Sequence, residues 1–152
     1  MPLDLDEHKY LITSLGAVVL MALSSYASCS AITQSSVHAI PLANKKSVIT
    51  NSYIAVIMGS TIFVYALILC TLIINKISLT MTVNESMCHF GAGVMFGSSA
   101  YFSGIAFGEV CKKCYLTLEK REGFYIIFIC TLSAVELVTL FGFLISLFLI
   151  LK

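Results

Sequence analysis

The sequence predicts an all-α membrane protein with four transmembrane helices. Three observations carry that expectation. The chain's 152 residues are 59% hydrophobic and only 11% charged, with a mean hydropathy of +0.97, whereas a soluble domain carries about 25% charged residues. The few charges are bunched. There are 35 uncharged residues between Lys9 and Lys45, 29 between Lys46 and Lys76 and 23 between Glu85 and Glu109, and the 29 residues from Gly123 to Leu151 hold one charge, Glu136. A hydrocarbon core of about 30 Å is crossed by roughly 20 apolar residues of helix, and all four stretches are long enough. A soluble enzyme, a nucleic-acid binder and a disordered chain are excluded. The net charge of +1 points to no particular partner.

The chain is expected to be a single membrane domain over 1–152, with spans near 10–34, 50–75, 88–111 and 123–151. The first span follows an acidic N-terminus (Met1 to Lys9). A cleaved signal peptide has a basic leading region, so this span is expected to stay in the protein. It is rich in small residues, as in Ser24-Ser25-Tyr26-Ala27-Ser28-Cys29-Ser30-Ala31. The second span is bulky, with many Ile and Leu. The third is small again, with Gly91-Ala92-Gly93, Gly97-Ser98-Ser99-Ala100, Gly104, Ala106 and Gly108. The fourth is the bulkiest. Lipid tails give helices no hydrophobic drive to associate, so close backbone approach between small residues holds such helices together. The first and third spans are therefore expected inside and the second and fourth outside.

The connections are short. Loops 35–49 and 112–122 hold Lys45, Lys46, Lys112, Lys113, Lys120 and Arg121, six of the nine basic residues. The positive-inside rule puts them in the cytoplasm and both termini on the luminal side. The halves are also alike. A shift of 75 residues lays Gly16, Ala17, Val19, Ser24, Tyr26, Ser28 and Ala31 on Gly91, Ala92, Val94, Ser99, Tyr101, Ser103 and Ala106. A shift of 76 lays Ser60 on Glu136, Tyr65 on Phe141 and Ala66 on Gly142. The expectation is a duplicated helical hairpin with both copies in the same orientation, a parallel repeat.

Glu136 is the residue expected to carry chemistry. Twelve apolar or weakly polar residues, Phe124 to Val135, precede it and fifteen follow, which puts it near mid-membrane at 1.5 Å per residue. A charge there costs at least about 2.5–3.5 kcal/mol, and its span offers no Lys, Arg or His. The side chain is expected to be neutral for much of the time, able to cross lipid as an acid and release its proton near a cation. Tyr65 and Ser60, at the repeat positions of Phe141 and Glu136, are candidate hydrogen-bond partners, Ser60 the weaker. Glu109, with Lys112 and Lys113 three and four residues on, reads as an interfacial ion pair. Cys111-Lys112-Lys113-Cys114 has zinc-knuckle spacing but lacks a second ligand pair, so no metal is expected. The six cysteines do not form a disulfide framework, and His8, His38 and His89 stand apart at span ends. Asn84-Glu85-Ser86 is a glycosylation pattern in a loop too short to favour its use. No Gly-Lys-Ser/Thr phosphate loop is present, so ATP chemistry would belong to other subunits.

These residues carry a family resemblance. The segment 89–100, His-Phe-Gly-Ala-Gly-Val-Met-Phe-Gly-Ser-Ser-Ala, followed by Gly104-Ile-Ala-Phe-Gly108, resembles the glycine-rich inner helix of the proteolipid c subunits of vacuolar-type rotary proton ATPases. Ala134-Val-Glu136, with Phe141-Gly142 behind it, resembles that family's Glu-bearing fourth helix, and Ile57 to Leu67 its second helix, Tyr65 included. The resemblance covers about 12–151. It implies a protomer of a ring of identical or sister proteolipids, turning against a stator subunit that supplies an Arg and driven by ATP hydrolysed elsewhere. It also implies a central-stalk subunit at the cytoplasmic loops and a vacuolar or other acidic endomembrane as the location. The family's carboxylate falls on Glu136 and its Tyr on Tyr65. The implied cargo is protons, with sodium a lesser alternative raised by Thr139 and Ser60; no cofactor is implied. The loop Tyr115 to Gly123 departs from the family's usual turn. The competing readings are a non-catalytic four-span scaffold and a small four-helix membrane enzyme, which would want more cationic groups than the lone Arg121.

Overall fold

The computed structural model describes residues 5–78 and 80–152, so Met1 to Asp4 of the acidic N-terminus lie outside it. Four helices follow one another: α1 (Leu5–Ala39), α2 (Lys46–Lys76), α3 (Val83–Lys120) and α4 (Tyr125–Leu151). Short 3-10 turns, Ile40–Leu42 and Glu122–Phe124, precede α2 and α4. The described residues include no strand. All four helices are long and apolar enough to cross a membrane.

Each helix begins or ends where the local chemistry requires it. Pro41 lies in the turn that closes α1, since proline has no N–H to extend a helix. Thr82 caps α3. Its hydroxyl accepts from the Glu85 N–H at 3.3 Å, and the Thr82 N–H donates to Glu85 Oε2 at 2.8 Å, a reciprocal capping box that starts α3 five residues before the expected 88. At its other end α3 runs past the expected 111 to Lys120, so most of the basic stretch 112–122 is helix and not loop. The charges there mark the end of the apolar run but do not stop the backbone. Cys111, Cys114, Tyr115 and Leu118 recur at helical spacing and are all buried against Phe128 and Leu132 of α4. Packing holds those turns. The Lys45 ammonium also donates to the Glu119 carbonyl, where a cation suits a helix C-terminal end.

α1 and α3 lie side by side and parallel, and their backbones touch. Thr13 and Ser86 hydroxyls meet at 3.1 Å near one end, and Ser35 and Tyr115 hydroxyls at 2.7 Å near the other. Between them the glycines of α3 face α1. A Cβ on Gly104 would lie 2.6–2.8 Å from the backbone and Cβ of Ala27. Tyr26 and Tyr101, equivalent in the 75-residue repeat, stack on each other with ring centroids 5.4 Å apart and planes 25° apart, as two copies related by an axis along the helices would place residues near that axis. α2 packs on α1, where Ser28 donates to the Gly59 carbonyl at 3.0 Å. α4 packs on α3, where Gly142 leaves room for Ser99. The outer helices present broad apolar faces, Ile57, Val64 and Leu67 on α2 and Ile126, Val138, Phe141 and Phe148 on α4.

The core has two centres. One, at the loop 35–49 end, gathers Ala55, Phe107, Tyr115, Phe128 and Leu132. The other gathers Leu20, Ile62, Leu69, Phe96 and Ile150. The four helices thus have a waist between Ala55 and Ile62 on α2, and between Leu132 and Phe143 on α4.

The α1/α3 contact is directly testable. Gly104→Ala should destabilise the protein in detergent by about 1–3 kcal/mol, the usual cost of forcing a methyl into a packed core. Gly91→Ala, on the same helix with nothing within 4 Å of its new methyl, should cost nothing measurable. Equal melting temperatures for the two variants would contradict the close approach.

Candidate proton-carrying site

The waist holds the acid. Glu136 is on α4, half-buried, one turn past Leu132 and before the buried Thr139. α2 brings Thr61 to it, with Thr61 Oγ1 2.8 Å from Glu136 Oε1. The same Oγ1 is 2.6 Å from the Met58 carbonyl, one turn back on α2. A threonine hydroxyl has one proton to give, so it donates fully to one of them or shares that proton between the two. If Glu136 is the neutral acid, its O–H donates to Thr61 Oγ1, Thr61 donates to the Met58 carbonyl, and both contacts are hydrogen bonds. If Glu136 is a carboxylate, Thr61 turns its proton to the acid, wholly or in part, and the Met58 carbonyl gives up that share of its bond. The two charge states differ in which partner the Thr61 proton serves.

Glu136 also opens to the outside. A cleft of about 280 Å³ runs between α2 and α4, lined by Tyr65, Ser133, Glu136, Leu137 and Leu140. Tyr65 leans on Phe143, ring centroids 5.1 Å apart and planes 36° apart, which fixes its ring beside the acid. The exposed faces flanking the cleft are apolar, so the acid looks out from the lipid-facing side of the bundle.

Of the residues singled out in the sequence, Tyr65 and Glu136 share this cleft. Ser60 does not reach it as a partner of the acid: its hydroxyl donates to the Ile57 carbonyl of its own helix at 2.7 Å. The threonine next to it does. Thr61 and Glu136 are 75 residues apart, the shift that aligns α1 with α3, whereas the shift of 76 used for the outer pair pointed to Ser60. A signal for Thr61 was available, because residues four apart share a helix face and Thr61 precedes Tyr65 by four. Thr139 is fully buried, turned away from the cleft, and its hydroxyl has no partner among the described residues. Glu109 is exposed on α3 beside exposed Lys112 and Lys113. Cys111 and Cys114 are packed into the core. Asn84 is exposed, but Ser86 of the same pattern is buried and donates to the Lys9 carbonyl at 2.6 Å.

Fold and site together define a four-helix membrane proteolipid, two small-residue helices within and two bulky ones outside, with a single carboxyl group set into an outer helix at its waist. Comparison with known proteins agrees. Residues 90–149, most of α3 and nearly all of α4, match the family of ATP synthase C subunits. The chain is 28% identical over 110 residues to the 16 kDa proteolipid c subunit of the V-type proton ATPase of Nephrops norvegicus, an alignment that covers 71% of this chain and 69% of that protein. Over these residues the chain is similar to the proteolipid c subunits of rotary ATPases.

The Thr61 contact can be tested alone. Thr61→Val removes the hydroxyl and keeps the shape, so Glu136 loses a bond worth about 1 kcal/mol. A lipid-soluble carbodiimide should then label Glu136 about fivefold faster, the factor such an energy corresponds to. Thr61→Ser should label at the parent rate. Equal rates for the parent and the valine variant would mean that Thr61 does not hold the acid.

Proposed function

We propose that this chain is a proton-carrying rotor-ring subunit of a vacuolar-type ATPase, and that Glu136 is the group that carries the proton. The observation behind this reading is the setting of Glu136. It is the one charged residue between Gly123 and Leu151, bonded by Thr61 and open to an apolar exterior through the cleft between α2 and α4.

The chemistry follows from the cost of charge in hydrocarbon. A carboxylate facing lipid is disfavoured by several kcal/mol, and a neutral acid is not. Glu136 therefore travels through the lipid-facing part of the cycle protonated, with its O–H on Thr61 and the Thr61 proton on the Met58 carbonyl. Beside a cation supplied by a stator subunit, an Arg in this family, the carboxylate becomes the favoured form and the proton leaves. Thr61 then turns its proton to the carboxylate, and the pair waits for the next proton. Tyr65, held against Phe143, walls the cleft and limits how far the Glu136 side chain swings. The ion is a proton: one hydroxyl and one carboxyl make a complete hydrogen-bonded unit, whereas sodium would want several more oxygens.

The remaining parts of the reading concern the assembly. Copies of this chain, or of sister proteolipids, form a ring with α1 and α3 facing inward and α2 and α4 facing outward. ATP hydrolysis on other subunits drives the turning. Lys45, Lys46, Lys112, Lys113, Lys120 and Arg121 lie together at one end, which the positive-inside rule assigns to the cytoplasm, where a central-stalk subunit would meet the ring. Both termini then face the lumen of an acidic endomembrane compartment, the vacuole among them.

Glu136→Gln keeps the hydrogen-bonding shape and removes the titration. Membranes carrying this variant should assemble the ring, shown by its mass after detergent extraction, and should show no ATP-driven acidification. Glu109→Gln should acidify at the parent rate. Acidification that survives in Glu136→Gln, or that is lost in Glu109→Gln instead, would overturn the assignment.

A further inference from the structure

A second polar site lies at the opposite end of α4 from the basic cluster. There the C-terminal ends of α2 and α4 meet the first turns of α3 around a cavity of about 190 Å³, lined by Lys76, Ser78, Thr80, Glu85, His89, Ile150 and Lys152. Its character differs from that of the Glu136 cleft, since two ammonium groups, an imidazole and two hydroxyls converge on one small space. The simplest account of the lysines is that each offsets the negative end of its own helix. That account leaves His89 unexplained. His89 is only 4% exposed, and its Nδ1 has no partner among the described residues. Buried polar atoms are rarely left so. Among the described residues the lining holds one carboxylate, Glu85, whose Oε2 accepts the Thr82 N–H of the capping box at 2.8 Å and whose single negative charge is outnumbered by the two lysines. What remains around the cavity is Lys76, Lys152, His89 and the one hydroxyl proton left over from the Ser78–Thr80 hydrogen bond of 3.1 Å.

We propose that this cavity binds a phosphate group, carried on the headgroup of a membrane phospholipid or free in solution. The chemistry is complementary. A phosphate offers several acceptor oxygens, and hydrogen bonds from ionised donors to such oxygens are about twice as strong as neutral ones. Lysine serves phosphate as a mobile point charge and needs no fixed fork. The position suits a headgroup as well. The cavity is at the end of the apolar spans with Ile150 in its lining, so an acyl chain lying along α4 would bring its phosphate to this level. Bound there, the phosphate would tie α2, α3 and α4 together at the end where no helix-to-helix loop joins α4 to the others.

The test uses the full chain, labelled with nitrogen-15 at histidine and solubilised in a maltoside detergent, which contains no phosphate. Inorganic phosphate is titrated in one arm and short-chain phosphatidylglycerol in the other. The His89 ring resonances should shift and saturate, while those of exposed His8 and half-buried His38 stay in place as internal references. A response to the lipid alone assigns a headgroup site, and a response to inorganic phosphate assigns a site for the free ion as well. The Lys76→Gln, Lys152→Gln double variant should bind at least about tenfold more weakly for each charge removed, and the corresponding double arginine variant should bind nearly as the parent does. Silence of His89 with both probes, or an undiminished response in the double glutamine variant, would overturn the proposal. Neither result bears on the role of Glu136, which acidification measures separately.

Discussion

A hydroxyl has a single proton, and at the centre of this bundle that limit organises the rest. Thr61 lies within bonding distance of both the Met58 carbonyl and the Glu136 carboxyl. With the acid protonated each contact has its own proton; with a carboxylate the one Thr61 proton must choose or be shared. The arrangement therefore distinguishes the two charge states of Glu136 by the number of protons available to the two contacts, in a medium where an unmet polar group is costly. α4 itself has no Lys, Arg or His. On the proposed reading, this geometry holds the proton and a cation passing the cleft releases it.

Such a device works only if α2 and α4 keep their distance to within a few tenths of an ångström while still leaving a cleft between them. They touch through Tyr65 and Phe143 and through Thr61 and Glu136, but most of their packing is on the inner helices. α2 is held by α1 and α4 by α3, and the α1/α3 contact fixes the two hairpins in register. This explains the division of composition between the spans. Glycine and small residues are spent on α1 and α3, where Gly104 meets Ala27 backbone to backbone. Bulk is spent on α2 and α4, whose outer faces meet lipid. The duplicated hairpin makes the frame nearly symmetric, as the Tyr26–Tyr101 stack shows, while the acid breaks the symmetry: one outer helix bears a carboxyl group and the other the hydroxyl that bonds it.

Much of this was legible in the sequence. Four spans, their division into small and bulky pairs, the duplication and the singular position of Glu136 follow from charge spacing and residue size, because lipid enforces both strongly. Helix ends were less legible. Charge marks where a chain leaves hydrocarbon, but α3 continues through Lys112 and Lys113 because Cys111, Cys114, Tyr115 and Leu118 still have a core to pack against. The partner of the acid was missed by one residue. Sequence alignment of the repeats assigns equivalence, and equivalent residues need not touch. Which of Ser60 and Thr61 reaches Glu136 depends on the rotation of α2 about its axis, and the choice of helix face relative to Tyr65 was the better guide.

The two-centred core gives the site its place. A carboxyl group buried in the middle of a continuous core would be walled off from the membrane, and one at a helix end would be wet. Between the cluster around Phe128 and Leu132 and the cluster around Phe96 and Ile62, the cleft beside Tyr65 and Ser133 lets a carboxyl group face outward without leaving the protein. The large side chains above and below hold α2 and α4 firmly on either side of that gap. At the level of Glu136 the chain thus places small polar side chains, Thr61 and Ser133, beside a cleft, and larger residues make the packed clusters on either side.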